Sequence, residues 1–344
     1  MDISTQNINA NFKRNGSNSI FPNYCCFVIT LKCIMKCKMC HIWRDSGNIL
    51  NELTIQEWKD VVNSLKGFLD TKYDIILSGG EPLLKKDILG LVSYIAKSGY
   101  RASLETNSYL VDEELARAIQ DSGLWRICIS LDSLAEDTHD SLRGRKGSYG
   151  RVMRGIEYLN KFCPSVGINI QTTIMEQNLD ELAKLAEWVA SDERLDYVYF
   201  QAIVRPFGTP MDENWFKGDH YGFLWPSHTD KVNLAIEELI RIKENNPKIA
   251  NTVAQFKAYK AYFKDPVNFG NNIKCTIGNR DININPCGDA YLCFSKDSIG
   301  NIKNRSIEEI WYSEKADKVR NEIIGCKKHC HFLLNCSFEK GDYF

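Results

Sequence analysis

Three cysteines lie within eight positions of one short segment. Cys33, Cys37 and Cys40 are separated by three and two residues, and they follow the apolar stretch FVITL, which has the pattern of a buried strand. Thiolates at this spacing can hold one metal centre together. Zinc would need a fourth protein ligand, and His41 is poorly placed because adjacent residues rarely bind one ion together. If the three thiolates hold a four-iron cluster instead, its fourth iron keeps an open position for a substrate.

A second group of six cysteines occupies the last 70 residues, at Cys275, Cys287, Cys293, Cys326, Cys330 and Cys336. The chain begins with a polar sequence, MDISTQNINANFKRNGSNSI, which lacks the apolar segment of a secretory signal. The 13 cysteines therefore indicate a cytoplasmic protein whose thiols stay reduced and serve metal binding or catalysis.

The composition is that of an ordinary globular protein. Hydrophobic residues make up 44% and charged residues 25% of the 344 positions, and the formal net charge is -1. A charge so close to zero gives no sign of a nucleic acid or membrane-surface partner. No apolar run approaches the ~20 residues of a membrane span.

The elements that must position the first cysteines alternate regularly. Between residues 24 and 205, six short apolar strands alternate with helical segments, which indicates parallel βαβ units and an α/β fold, a partial (β/α)6 TIM-like barrel. Several strands place polar residues on one face, which predicts a ligand cavity inside the barrel; the alternative is a set of hydrogen-bonded buried polar groups. These polar residues are Ser103, Glu105, Asn107, Cys128, Ser130, Asp132, Asn169, Gln171, Thr173, Tyr197, Tyr199 and Gln201.

The rest of the chain divides into three further segments. Residues 1–23 are predicted to be a flexible tail, and residues 206–270 an aromatic-rich loop followed by a bridging helix. Residues 271–344 are predicted to form a small cysteine-rich domain of a β-hairpin and helices, with the hairpin turning at Pro-Cys-Gly-Asp.

Three motifs in this order resemble the radical SAM superfamily. They are Cys33-x3-Cys37-x2-Cys40 after the first strand, Ser78-Gly79-Gly80-Glu81-Pro82 at the end of the second, and Ser130-Leu131-Asp132-Ser133 at the end of the fourth, followed by His139-Asp140 and Arg143-Gly144. The resemblance implies that a [4Fe–4S] cluster on Cys33, Cys37 and Cys40 binds S-adenosylmethionine (SAM). Reductive cleavage of SAM would give a 5′-deoxyadenosyl radical, which takes a hydrogen atom from the substrate.

The resemblance also implies a SAM site. Gly79 and Gly80 would let the backbone approach the methionine amino group, and Glu81 would pair with its charge. Arg143, expected on a loop, would bind the carboxylate. The other expected SAM contacts are Met39, His41, Trp43, Ser78, Asn107, Ser130, Asp132 and Gln171. The alternatives are a surface salt bridge for Glu81, ordinary core packing for Met39 and Trp43, and a solvated charge for Arg143.

The late cysteines resemble the SPASM/twitch extension of radical SAM enzymes, which holds auxiliary clusters. Because the chain has too few late cysteines for two clusters, the resemblance implies one auxiliary [4Fe–4S] cluster. Its ligands would be four of Cys275, Cys293, Cys326, Cys330 and Cys336, with Cys287 less favoured. A structural zinc knuckle is the alternative.

The expected enzyme is a radical SAM oxidoreductase. Only about 23 residues precede the first strand, fewer than a leader-recognition domain needs, which favours a small polar substrate such as a carbohydrate or aminocyclitol over a short peptide. The expected reductant is a carrier such as flavodoxin or ferredoxin. Three alternatives stay open: an epimerase in which the Cys128 thiol donates a hydrogen atom, a peptide-modifying maturase, and a non-catalytic Fe–S or zinc protein.

Overall fold

The structure is a computed structural model that describes residues 21–45, 51–70 and 73–336. Most of the predicted flexible tail, residues 1–20, lies outside the described residues, as do residues 337–344.

The described strands form one sheet in the order β6-β5-β4-β3-β2-β1-β7-β8-β9. The first six pair in parallel, and β7 extends the sheet in parallel beyond β1. The strands are β1 Tyr24–Thr30, β2 Asp74–Gly79, β3 Arg101–Thr106, β4 Arg126–Ser130, β5 Gly167–Ile174, β6 Tyr197–Ala202, β7 Asp281–Ile284, β8 Asp289–Tyr291 and β9 Gly300–Asn301.

Helices connect the parallel strands, as expected for a partial barrel. The helices are α1 Ile42–Asp45, α2 Ile55–Ser64, α3 Ile88–Lys97, α4 Glu113–Ser122, α5 Glu136–Arg143, α6 Ser148–Phe162, α7 Leu182–Ser191, α8 Thr229–Asn245, α9 Val253–Lys264, α10 Pro266–Phe269, α11 Ile307–Trp311, α12 Glu314–Ile324 and α13 His331–Cys336. Within the described part of the chain, no helix combines the length and apolar character that crossing a membrane requires.

The six strand–helix repeats of the barrel were predicted, and so was the hairpin of β7 and β8, which pair antiparallel. The expected loop position of Arg143 is wrong, because this residue is the last of helix α5. The sequence EDTHDSLR of α5 is short and polar, so it carries no apolar period from which a helix is recognised. Helix α9 was also missed.

Strand β6, at one edge of the sheet, is covered by a short parallel β-bridge between Val198 and Ile249 and by two asparagine side chains. The amide of Asn251 accepts from the Phe200 N–H at 2.8 Å and donates to its carbonyl at 2.8 Å. Asn335 does the same for Ala202, at 2.9 and 3.1 Å. These side chains satisfy main-chain groups that an exposed edge would leave unpaired. Asn335 belongs to the C-terminal helix α13, so this edge also anchors the cysteine-rich segment.

Candidate functional site

The barrel encloses a cavity of about 2290 Å³. It extends from the loops at the carboxyl ends of the strands, where Cys33, Cys37 and Cys40 line it, to the amino ends, where Asp74 and Arg101 line it. Ten of the twelve polar residues predicted for the interior line this cavity; the other two, Asp132 and Asn169, are fully buried outside its lining. The alternation of polar and apolar residues along the strands therefore predicted the cavity correctly.

The three early thiols lie close enough to influence one another. Burial, with a smaller contribution from the neighbouring Cys37, raises the pKa of Cys33 to about 11. Burial raises the pKa of Cys40 to about 12, with added contributions from Cys37 and Cys33. Three buried thiolates need compensating positive charge, which iron ions supply.

Main-chain N–H groups point at two of these sulfurs. The Met35 N–H donates to Cys33 Sγ at 3.4 Å, and the Ile42 N–H hydrogen-bonds the Cys40 thiol. Hydrogen bonds of this kind stabilise thiolates and tune clusters that thiolates hold. The sulfurs also face the cavity, so a metal group on them would meet a ligand there. The residues present therefore fit a cluster with an open iron.

The first support of the cysteine loop is the turn at Gly79 and Gly80. The Gly80 N–H donates to the Thr30 carbonyl at 2.8 Å, and the Glu81 N–H donates to the Lys32 carbonyl at 2.8 Å. A Cβ atom at Gly79 or Gly80 would come within 2.3 or 2.4 Å of main-chain atoms of these two residues. The glycines therefore let the turn after β2 pack directly against the cysteine loop. From the sequence they were expected only to contact SAM.

The second support is the C-terminal end of helix α5. The Lys36 N–H donates to the Arg143 carbonyl at 3.3 Å, and the Lys38 N–H donates to the Leu142 carbonyl at 2.9 Å. Gly144 ends the helix with φ +64°, and a Cβ atom there would lie 2.1 Å from the Lys36 carbonyl oxygen. Only glycine fits both the backbone conformation and the contact.

The third support is the loop after β6. The His41 N–H donates to the Phe207 carbonyl at 2.7 Å, and Cys40 forms a β-bridge with the same residue. The His41 ring lies within hydrogen-bond distance of the Tyr221 hydroxyl, at 2.9 Å from Nε2. His41 thus fastens the aromatic-rich loop to the cysteine loop, and it lies outside the cavity lining.

Glu81 is also turned away from the cavity. No part of it is exposed, and its carboxylate accepts hydrogen bonds from the Thr106 hydroxyl and the Asn107 and Leu83 N–H groups. Burial raises the pKa of Glu81 to about 7, and these hydrogen bonds oppose the rise. Glu81 therefore links the glycine turn to the end of β3, and among the described residues it forms no surface salt bridge, which was the alternative to the expected contact with SAM.

Asp132 and Arg143 form a buried pair beneath the cysteine loop. Arg143 Nε lies 2.7 Å from Asp132 Oδ2, and the Asp132 side chain is fully buried. The Arg143 guanidinium also hydrogen-bonds the Cys37 thiol, which opposes the rise in the pKa of Cys37 caused by burial. Arg143 lines the cavity, whereas Asp132 holds Arg143 in place.

The remaining expected SAM contacts line the cavity: Met39, Trp43, Ser78, Gly79, Gly80, Asn107, Ser130 and Gln171. The Trp43 indole donates to the Cys40 carbonyl at 2.8 Å. The Ser78 hydroxyl donates to Glu105, whose pKa is raised by burial, so this carboxyl is shifted toward its neutral form. The Cys128 thiol lines the cavity and donates to Gln171 Oε1 at 3.4 Å.

Four of the late cysteines form a second group: Cys275, Cys293, Cys326 and Cys330. Burial raises the pKa of Cys330 to about 12, and the other three thiols add to the rise. Main-chain N–H groups of Ile277 and Ser295 hydrogen-bond the Cys275 and Cys293 thiols, which repeats the pattern of the early loop.

Cys336, the last described residue, has a different setting. It lines the barrel cavity, and its main-chain carbonyl accepts from Arg280 Nη1 at 2.9 Å. Cys287 sits on the hairpin turn and also lines the cavity. Of the five late cysteines expected as ligands, the structure therefore groups four, which are Cys275, Cys293, Cys326 and Cys330. Cys287, the less favoured candidate, is not among the thiols that raise the pKa of Cys330.

Sequence reasoning missed the residues that support the site. Gly144 was visible within a motif, but its contact with Lys36 depends on the position of α5, which was not predicted. Asn251 and Asn335 carried no recognisable sequence signal. Each hydrogen-bonds the main chain of strand β6, and only the folded sheet shows that this strand lies at an edge.

Comparisons with known proteins agree with this geometry. The radical SAM superfamily profile matches residues 27–189, and an iron-sulfur cluster-binding domain profile, SPASM, matches residues 275–337. The AdoMet-dependent heme synthase of Methanosarcina barkeri is 30% identical over 332 residues, 92% of this chain and 90% of that protein. The subtilosin biosynthesis protein AlbA of Bacillus subtilis is 25% identical over 92% of this chain and 66% of its own length. The crystal structure of Streptococcus suis SuiB bound to the precursor peptide SuiA covers 87% of this chain and 67% of that chain, with a TM-score of 0.65 at 16% identity.

We expect Gly144→Ala to remove about four irons per chain by displacing Lys36 and with it the cysteine loop. Gly147→Ala is the matched control, because Gly147 also has a positive φ of +77° but a Cβ atom there would meet nothing within 4 Å. Iron analysis of both anaerobically reconstituted variants tests this expectation. Equal iron content in the two variants would show that the contact with Lys36 does not hold the loop.

We expect Cys330→Ser to lose about four irons and Cys336→Ser to keep the full iron content, because the Cys330 thiol lies with Cys275, Cys293 and Cys326 whereas Cys336 lines the barrel cavity. Iron counting and the visible absorption of the two variants measure this difference. Loss of iron from Cys336→Ser with retention in Cys330→Ser would exchange the two residues in the ligand set.

Proposed function

The chain belongs to the radical SAM superfamily, and on this premise we propose that it abstracts a hydrogen atom from a peptide substrate. It is an enzyme of that family with a SPASM domain, and its cofactors are iron–sulfur clusters and SAM. When bound, the cluster and SAM together supply the 5′-deoxyadenosyl radical. We assign Cys33, Cys37 and Cys40 to the SAM-binding cluster and Cys275, Cys293, Cys326 and Cys330 to the auxiliary cluster.

The observation that carries the peptide proposal is the size of the cavity. At about 2290 Å³ it is more than twice the upper end of the ~300–1,000 Å³ range typical of small-ligand sites. One such volume accommodates SAM beside the cysteine loop. The remaining volume suits a segment of extended chain better than a single sugar ring.

The charges in the cavity also support a substrate of low net charge. Among the described residues six cationic side chains line it, and each already donates to an oxygen of this chain, so none has all of its donors open to a polyanion; the carboxyl groups of Asp74, Glu105, Glu193 and Asp196 line it as well. The partners are Asp74 for Arg101, Tyr197 for Arg126, Asp132 for Arg143, the Thr209 and Pro210 carbonyls for Arg205, and the Ile249 and Asp192 carbonyls for Lys243 and Lys248.

The auxiliary site borders the same cavity. Phe294, which follows Cys293, and His331, which follows Cys330, both line it. Burial lowers the pKa of His331 to about 4, so this ring is neutral at physiological pH. A substrate in the barrel would therefore lie beside the auxiliary cluster, either to pass it an electron or to be held against it.

A step in heme synthesis is the second candidate. The observation that favours it is the 30% identity with the heme synthase, which extends over 90% of that protein. The large cavity accommodates a porphyrin, but the engaged cations offer little to its carboxylates.

The expected carbohydrate or aminocyclitol substrate is not supported, because the relatives concern heme and a peptide bacteriocin and the cavity exceeds the needs of one sugar. Epimerisation with Cys128 as hydrogen donor stays a prediction. Its thiol faces the cavity, and burial raises its pKa, which keeps it protonated as such a donor requires.

We expect the reconstituted enzyme, given SAM and a chemical reductant, to oxidise short peptides encoded next to its gene with a loss of two hydrogens and formation of 5′-deoxyadenosine. The peptides and an iron porphyrin with propionate side chains are incubated separately with the enzyme. Mass spectrometry then detects which of the two substrates is modified. The control is the Cys33→Ala/Cys37→Ala/Cys40→Ala variant, which should produce no 5′-deoxyadenosine. Turnover of the porphyrin with no modified peptide would overturn the peptide proposal in favour of the second candidate.

A further inference from the structure

Five cationic side chains surround the outer side of the cysteine loop. We call them the basic surface, and they are Lys36, Lys38, Arg44, Arg145 and Arg151. None of them lines the barrel cavity, and among the described residues none lies in an ion pair with a carboxylate. With a net charge of -1 for the whole chain, this concentration of positive charge is a local feature.

Four of these cations are arranged in pairs over aromatic rings. Lys36 Nζ and Arg44 Cζ lie 5.8 and 5.1 Å from the centre of the Trp43 ring. Arg145 and Arg151 lie 4.2 and 5.3 Å from the centre of the Tyr109 ring. The aromatic faces hold like charges close together without neutralising them.

The positive field acts on groups at this surface. A hydrogen bond from Arg145, with the nearby charge of Arg151, lowers the pKa of the exposed Tyr109 hydroxyl. The Asp140 carboxylate, five residues before Arg145, is already engaged, because it accepts from the Ser148 hydroxyl and the Tyr149 N–H at 2.8 Å each.

The basic surface is attached directly to the loop that carries the thiols. Lys36 and Lys38 flank Cys37 in the chain, and Arg145 Nη1 donates to the Ile34 carbonyl at 3.0 Å. A partner seated on these cations would stand against the cysteine loop from outside, while the substrate cavity lies on its inner side.

We propose that the basic surface is the docking site of an acidic one-electron carrier protein that reduces the cluster on Cys33, Cys37 and Cys40. This inference rests on the proposed function, because reductive cleavage of SAM needs one electron from outside the chain. The carrier loses that electron and the cluster gains it, with no bond made or broken. Surface cations whose charge no carboxylate neutralises attract an acidic partner and orient it for this contact.

The test is binding of flavodoxin, an acidic carrier, to the reconstituted enzyme by isothermal titration calorimetry at low ionic strength. Arg44→Glu/Arg151→Glu, at two exposed positions, should weaken binding at least about tenfold. The matched control is Lys257→Glu/Lys264→Glu on helix α9, which changes the net charge equally at exposed positions and should change the affinity less than about twofold. Affinity of the wild type should fall as ionic strength rises to about 0.15 M.

Arg44→Gln/Arg151→Gln, which removes the charges without reversing them, should weaken binding less but in the same direction. With reduced methyl viologen, a small cationic reductant, all variants should cleave SAM at the wild-type rate, which separates docking from the proposed function. Flavodoxin binding that is unchanged in Arg44→Glu/Arg151→Glu, or weakened equally in the helix α9 control, would overturn the proposal. Failure of every protein to cleave SAM with methyl viologen would instead contradict the proposed function.

Discussion

The cysteine loop depends on main-chain hydrogen bonds from three other segments of the chain. The turn at Gly80, the end of helix α5 and the loop at Phe207 each donate to it or accept from it, and a Cβ atom at Gly79, Gly80 or Gly144 would overlap its backbone. A loop between Thr30 and His41 has no regular structure of its own to fix three sulfurs. Their geometry is therefore a property of the assembled barrel, in which strands β1 and β2 and helix α5 meet at one end.

The same end of the barrel combines several otherwise separate features. The buried Asp132–Arg143 pair lies under the loop and presents the guanidinium to Cys37. Burying an ion pair costs desolvation free energy, so this pair adds little to stability. Its effect is to fix the position of Arg143 beside the thiols. At the edge of the sheet formed by β6, Asn335 hydrogen-bonds the main chain of Ala202 and so attaches helix α13 to the barrel. The late cysteines are thereby held against the same cavity.

Patterns local to a strand or a loop were readable from the sequence. Alternation along β3, β4 and β5 predicted the polar cavity, and the spacing of Cys33, Cys37 and Cys40 predicted a shared metal centre. Roles that depend on distant segments were not readable. Glu81 was expected to face a ligand, but its partners Thr106 and Asn107 come from another strand end. Likewise, Cys330 precedes helix α13 and Cys336 is its last residue, so the folded helix decides which of the two thiols joins the other late cysteines.

The central claim is that the loop of Cys33, Cys37 and Cys40 holds a four-iron cluster whose open iron binds SAM. Electron paramagnetic resonance of the reduced Cys275→Ala/Cys293→Ala variant tests it most directly, because that protein should retain the early cluster alone. The account predicts the signal of one reduced [4Fe–4S] cluster whose g-values shift when SAM is added. A signal that SAM leaves unchanged, or no cluster signal in that variant, would contradict it.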